Sequence, residues 1–448
     1  MLVIVKVARV LSKLALIVLL VRPLWAQEAA APGELKPGEV LNHTNWQKAE
    51  GLLPPEILKH YQNGDYANPI VDWPDGRFTW PPDFRAASEK NTGQLDVDAT
   101  GTVIEKGSGK QPPYILGHPF PIIDPADPKA GAKTVWNFVY RTWYFGTLHA
   151  ESQLNWIAPK GLERRTDVDV SYEYYDGVPE PERVPNPDNF SERLLNLVVS
   201  PADLNGTAAL TWRYRDPLKR DSVWAYVPAL RRVRAVSPAN RSDGFLGSDM
   251  AQDDGPFFDG KPEDFAWTLK GEVEQLRLVD PLSLKGQSDQ VWLPNGGWRG
   301  NWPDLKFLGY MDSEWKGIAW APLTGALAKR HFWVVDGVPK DKYYLFGHLE
   351  LYIDKETFQG AWNRKFSWQG ELLNTVQVMA FIPKGFTRPD GKVDYNQGSN
   401  MAFQCVENLK RNQATVAGIK SSAKSGFDAR VPFEAARFDV NSLAHVGK

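Results

Sequence analysis

The sequence predicts a mainly β protein, an antiparallel sheet accompanied by a few helices. From Thr134 onward, short segments of alternating apolar and polar residues recur at close spacing, with Gly, Pro, Asn and Asp between them. Short strands joined by turns give antiparallel sandwiches or barrels rather than parallel α/β folds. Aromatic residues also make up 12% of the chain, with 18 Trp. They suit wide β-surfaces and ligand walls, because they bury large apolar areas and keep a polar edge.

The chain has 448 residues, 42% of them hydrophobic, which is enough for a sizeable core in one large domain or two to three average ones. A net charge of −2 supplies no basic field for nucleic acid. Lys6, Arg9 and Lys13 precede an apolar run, Leu14 to Val21, and then Pro23-Leu24-Trp25-Ala26-Gln27. Residues 1–26 therefore read as a secretory signal peptide. Its apolar run falls short of the ~20 residues that a membrane span takes. Cys405 is the single cysteine, so no disulfide forms within one chain and none lies near the cleavage site to carry a lipid.

Residues 27–130 read as an N-terminal wrap. Thr44 or Asn45 can cap a short turn, and Pro55 suits the first position of a helix, Glu56 to Gln62, ended by Asn63-Gly64. Residues 66–130 are dense in proline, which wraps over a surface better than it joins a ladder. Residues 131–407 are expected to hold the sheet. Strands are placed at Trp136 to Phe145, Asp167 to Tyr175, Leu194 to Val199, Thr207 to Arg215 and Ser222 to Val227. The series continues with Gly271 to Val279, Phe332 to Val338, His348 to Asp354, Ala361 to Trp368, Thr375 to Ile382 and Ala402 to Val406. Residues 283–330, rich in Trp and Gly but poor in alternation, read as an insertion over a cavity mouth or a helix pair. Residues 408–448 read as a terminal helix or tail.

The most informative stretch is 220–260. Trp224 and Tyr226 alternate with Val223, Ala225 and Val227, Pro228 stops the ladder, and Leu230-Arg231-Arg232-Val233-Arg234 starts a second short strand. An acidic loop with Asp243, Asp249, Asp253 and Asp254 follows. The run Tyr226, Pro228, Leu230, Arg232, Val233, Arg234, then Arg241, Asp243, Phe245, Gly247, Ser248, Asp249, Asp253 and Asp254, resembles the outer-membrane lipoprotein-sorting-protein family. That family is related to the periplasmic Lol lipoprotein carriers and to a large family catalogued only as a domain of unknown function. Gly117 to Gly131, GHPFPIIDPADPKAG, carries the same likeness, which is best over 117–280 and looser over 330–405.

The resemblance implies a strongly curved antiparallel half-barrel around an apolar cavity for acyl chains, with no catalysis and no cofactor. It also implies a soluble periplasmic protein that meets membranes transiently, with an inner-membrane transporter of the resistance–nodulation–division type as partner. The expected cargo is a lipid, a lipoprotein's acyl chains or a sterol-like molecule.

Trp212, Tyr214, Trp224, Tyr226, Leu230 and Phe245 are the candidates to line that cavity, weighed against ordinary packing of strand aromatics. Arg232, Arg234, Arg241 and Asp249 are candidates either for an anionic headgroup at its mouth or for a latch at the strand–loop corner. The Asp249–Asp259 acids lack the spacing of a calcium loop, and the seven histidines show no zinc pattern. No nucleophile elbow, P-loop or dinucleotide motif is present. Two other classes remain. One is a glycan-binding or glycan-hydrolysing protein that pairs Glu151 or Glu173 with Glu350 in an aromatic cleft. The other is an envelope scaffold that uses the Trp-rich 290–320 segment as an exposed patch.

Overall fold

The structure is a computed structural model that describes residues 33–73, 80–180, 183–285, 290–294, 297–301, 325–382, 386–387, 393–394, 400–419 and 426–446. The stretch expected to be a signal peptide and most of the expected 283–330 insertion lie outside the described residues.

The N-terminal wrap holds strands β1 (Val40–Leu41) and β2 (Asn68–Val71), helices α1 (Pro55–Asn63) and α2 (Pro82–Asn91), and the hairpin β3 (Leu95–Val97) and β4 (Val103–Glu105). α1 starts with Pro55 at its first turn and stops at Gly64, which takes φ +84° where only glycine is unstrained. Then comes α3 (Ala130–Trp143), followed by β5 (Thr147–Ala158), β6 (Gly161–Tyr174), β7 (Phe190–Ser200), β8 (Ala208–Tyr214), β9 (Ser222–Val227) and β10 (Arg232–Val236). After a loop come β11 (Phe265–Val279), β12 (Gln290–Trp292), β13 (Trp298–Asn301), β14 (Ala326–Pro339), β15 (His348–Asp354), β16 (Gly360–Phe366) and β17 (Leu372–Phe381). The last strands are β18 (Phe386–Thr387), β19 (Val393–Asp394), β20 (Asn400–Asn408), β21 (Gln413–Ile419) and β22 (Gly426–Ala429).

The main sheet is one curved antiparallel surface in the order β11, β14, β15, β16, β17, β20, β21, β5, β6, β7, β8, β9, β10. One wing curls until β11 makes a single parallel contact with β17, Val279 opposite Ala380. The other ends at β10, whose one neighbour among the described residues is β9. The sheet is therefore not a closed barrel. β22 pairs with β5 and β13, and β13 with β12, so β12 and β13 of the expected insertion form a small flap beside β5, while its last residues already belong to β14.

Side chains alternate between the two faces along each strand, and this sorts the cores. The inner face gives Val168, Tyr172, Leu194, Val335, Leu351, Val376, Val378 and Val406 to one core shared with α3. The outer face splits in two. Phe332, Val334, Met379, Cys405 and Val416 pack under α1 and its neighbours. Leu195, Leu197, Leu210 and Tyr226 pack under Phe438 and Leu443 of the C-terminal segment.

Two expectations are corrected. Trp136 to Phe145 is not a strand: nearly all of it belongs to α3, the inner plug of the sheet. Val135, Trp136, Phe138, Val139, Tyr140 and Trp143 are all buried, and so is the polar stripe of Thr134, Asn137 and Arg141, so the helix is buried on nearly every side. Gly131 lets it lie directly on β11, since a Cβ there would stand 2.8 Å from Leu269 N. Asn137 staples the Pro-rich segment to it, accepting from Phe120 N at 2.9 Å and donating to Phe120 O at 2.6 Å. Residues 408–448 likewise hold β21, β22 and two 3₁₀ turns rather than a terminal helix or loose tail.

Candidate functional site

Among the described residues the inner face holds an apolar cavity, about 80 Å³ in volume, lined by Phe138, Arg141, Thr142, Phe145, Leu148, Pro256, Phe257, Gln359, Val378 and Phe427. α3 supplies one wall, β17 the floor, the 256–257 turn a second wall, and Phe427 of β22 a lid with Trp298 behind it. Phe257 is the pivot. It sits at φ +68°, its N–H donates to Gln404 Oε1 at 2.7 Å, and its carbonyl accepts from Asn363 Nδ2 at 2.9 Å. These bonds hold a left-handed residue that sterics alone would disfavour.

The cavity has a polar end. Gln359 Oε1 accepts from Arg277, which is fully buried, stacks 5.5 Å from the Trp73 ring and lies 3.7 Å from Asp354. Burial, with Arg330 nearby, pulls the Arg277 guanidinium down to about 10. Burial and the neighbouring Arg277 charge bring Arg141 to about 9. None of the lining residues is acidic.

A second feature is a buried ionic cluster that fastens the 238–264 loop to β8. Arg213 holds Asp221 at 3.0 Å and Glu192 at 3.1 Å, while Arg241 holds Asp253 at 2.6 Å and Asp259 at 2.9 Å. Tyr344 donates to Asp253 at 3.0 Å. Burial, followed by the charge of Glu192, pushes the Asp259 carboxyl well up, and burial pushes Glu192 up too. Lys365 closes the same loop onto β16 through a buried ion pair with Asp254. A polar hollow of about 530 Å³ opens beside these groups between Arg220, Lys261, Lys340 and Tyr344.

The residues singled out from the sequence are distributed as follows. Trp212, Trp224 and Tyr226 face outward, against the C-terminal segment: the two indoles lie 4.7 Å apart and Trp212 Nε1 donates to Phe438 O at 3.0 Å. Tyr214 packs with Phe190 and Tyr175. Phe245 rests against the inner core, and Leu230 is exposed. None of the six lines the apolar cavity, because the β8–β9 register turns the paired aromatics to the opposite face. Arg241 is buried in the ionic cluster. Asp249 accepts from Asn408 at 3.0 Å and from Arg411 at 3.4 Å, and Arg232 and Arg234 are exposed on the edge strand. Glu173 and Glu350 stand on separate wings, already held by Arg193 and Arg364. Phe138, Phe145, Phe257, Val378 and Phe427, which form the cavity, carry no sequence signal beyond their apolar character.

Residues 40–444 match the model of a family described as a protein of unknown function, DUF1329. The chain belongs to the DUF1329 family. No curated protein matches it by sequence. A DUF1329 protein from Desulfovibrio piger is 16% identical with a TM-score of 0.45, over 71% of this chain and 100% of that one. A putative outer membrane lipoprotein-sorting protein domain from Vibrio parahaemolyticus is 15% identical with a TM-score of 0.45, over 71% and 100%. A LolA superfamily protein from Nitrosomonas europaea is 11% identical with a TM-score of 0.38, over 67% and 95%. Among the described residues of this DUF1329 chain, no helix is long and apolar enough to cross a membrane.

Proposed function

We propose that the chain is a non-catalytic periplasmic carrier that binds a hydrophobic molecule inside the curved sheet and moves it between the inner and outer membranes. The observation behind this reading is the construction of the inner face. Its apolar cavity is walled on one side by α3 and the 256–257 turn and lidded by Phe427. α3 belongs to no strand ladder, so a shift of its C-terminal turn would leave the backbone hydrogen bonds of the main sheet in place. At about 80 Å³ the cavity is too small for a whole ligand. A bound ligand of ordinary size takes about 300–1,000 Å³. Loading therefore requires the Phe427 flap or the C-terminal turn of α3 to swing aside. Each methylene buried then contributes about 0.8 kcal/mol, so an acyl chain or sterol-like skeleton is held without chemistry.

Release needs a partner that prefers the open state or competes for the ligand. An inner-membrane transporter of the resistance–nodulation–division type fits that role. The test is displacement of a fluorescent fatty-acid probe. The parent protein binds it, and Val378→Trp, which fills the cavity floor, abolishes binding while the fold is retained. Equal probe binding by both proteins overturns the assignment of the site.

A further inference from the structure

The register of the sheet gathers six turns at one end of the strands: 159–160, 201–207, 228–231, 340–347, 367–371 and 409–412. Most of the large apolar side chains left exposed among the described residues stand at this end. Tyr343 is 76% exposed, Leu230 56%, Leu345 50% and Trp368 46%, with Val227 and Leu409 beside them. Soluble surfaces scatter such residues singly, so their concentration along one rim calls for a covering surface.

Charge on the rim points the same way. Arg231, Arg232 and Arg234 follow Leu230 at the β9–β10 hairpin, all exposed, and their side chains take no ion pair or hydrogen bond among the described residues. The rim acids Asp341 and Glu371 are already held by Arg220 and Lys410, which leaves Asp203 as the one exposed carboxylate of the neighbouring 201–207 turn. In a chain of net charge −2 this hairpin is a concentrated cationic tip.

We propose that this rim docks on a lipid bilayer bearing anionic headgroups. Leu230, Tyr343, Leu345 and Trp368 enter the interface, and Arg231, Arg232 and Arg234 take headgroup phosphates. Two features favour a bilayer over an acidic protein. The apolar residues sit on separate turn tips along a curved edge, whereas a stable protein interface needs roughly 1,000 Å² of complementary surface. A fluid surface conforms to separate tips. Trp368 and Tyr343 also have the amphipathic rings that settle at headgroup level, and the Trp368 indole is fixed by its bond to Tyr344 O at 2.9 Å. Guanidinium forks match phosphate oxygens bidentately. The proposal goes beyond the carrier reading and stands whether or not the cavity holds a ligand.

The test is flotation of the purified protein with vesicles of phosphatidylethanolamine and phosphatidylglycerol, alongside vesicles of phosphatidylcholine. The protein floats with the anionic vesicles, and added salt weakens the association. The Arg231→Ser/Arg232→Ser/Arg234→Ser variant loses affinity on the order of 100-fold. Leu230→Ser/Trp368→Ser loses about 10-fold through its lost apolar contact. Leu282→Ser, a leucine 51% exposed just past the Val279 end of β11 and so at the opposite end of that strand from the 340–347 turn, binds like the parent. Thermal melts of the variants separate lost docking from lost fold. Absence of flotation, equal binding to phosphatidylcholine, equal loss in Leu282→Ser, or capture by an acidic protein surface without vesicle binding each overturns the proposal.

Discussion

Phe257 lies flat against the backbone of Gly360. A Cβ on Gly360 would stand 2.2 Å from the ring, so the glycine on β16 is what allows the phenyl group to seat between α3 and the sheet. Gly360→Ala therefore forces Phe257 out of its place and costs about 1–3 kcal/mol of stability through overpacking. Urea unfolding measures this, and a variant as stable as its parent would show that the ring is free to move.

Lys365 and Asp254 form a nearly fully buried ion pair, with side chains 2% and 1% exposed. Lys365→Met removes one partner and leaves a carboxylate in the core, a change that costs about 3–5 kcal/mol. The double variant Lys365→Met/Asp254→Leu regains part of that loss, because no charge is then left uncompensated. A double-mutant cycle in urea tests both statements, and strictly additive losses contradict them.

The sheet and helices were legible in the sequence to different degrees for physical reasons. Ser222 to Val227 and His348 to Asp354 are both placed to the residue, because each is a short run with β-branched, aromatic or leucine residues at alternate positions, closed by turn residues. α1 announced itself through Pro55 and Gly64. α3 did not, because Val135, Trp136, Phe138, Val139 and Tyr140 are β-branched and aromatic residues of the kind enriched in strands, and that preference hides the polar stripe of Thr134, Asn137 and Arg141. Nor did the pairing of Trp212 with Trp224 say which face they share. Only the docking of Phe438, more than 200 residues later in the chain, decides it.

His60 on α1 is pinned between Glu407 at 2.8 Å and Asp65 at 3.3 Å. Burial works to lower its pKa but is outweighed by the two carboxylates, which lift the imidazole from 6.5 to about 9. A raised folded-state pKa means that this stabilisation is complete below about pH 6.5 and is lost as pH rises through about 9. The loss amounts to roughly 3 kcal/mol. Stability measured across that range declines in the parent and declines much less in His60→Gln. Parallel pH profiles would contradict the assignment.

The outer aromatic set makes a separate prediction. Phe438→Ala removes the buried ring that covers Leu195, Leu197 and Leu210, and costs about 3–5 kcal/mol. The C-terminal segment then becomes accessible to limited proteolysis at low protease. Fatty-acid probe binding is unchanged, since this core lies on the opposite face from the cavity. Loss of probe binding in a folded Phe438→Ala protein would place the ligand on the outer face among Trp212, Trp224 and Tyr226.

The most direct test of the carrier account is native mass spectrometry of the protein purified from a cell-envelope extract, followed by organic extraction of whatever it carries. The account predicts a stoichiometric hydrophobic adduct that is absent from Val378→Trp. A bare protein mass in the parent, together with refusal of fatty-acid probes, would contradict it.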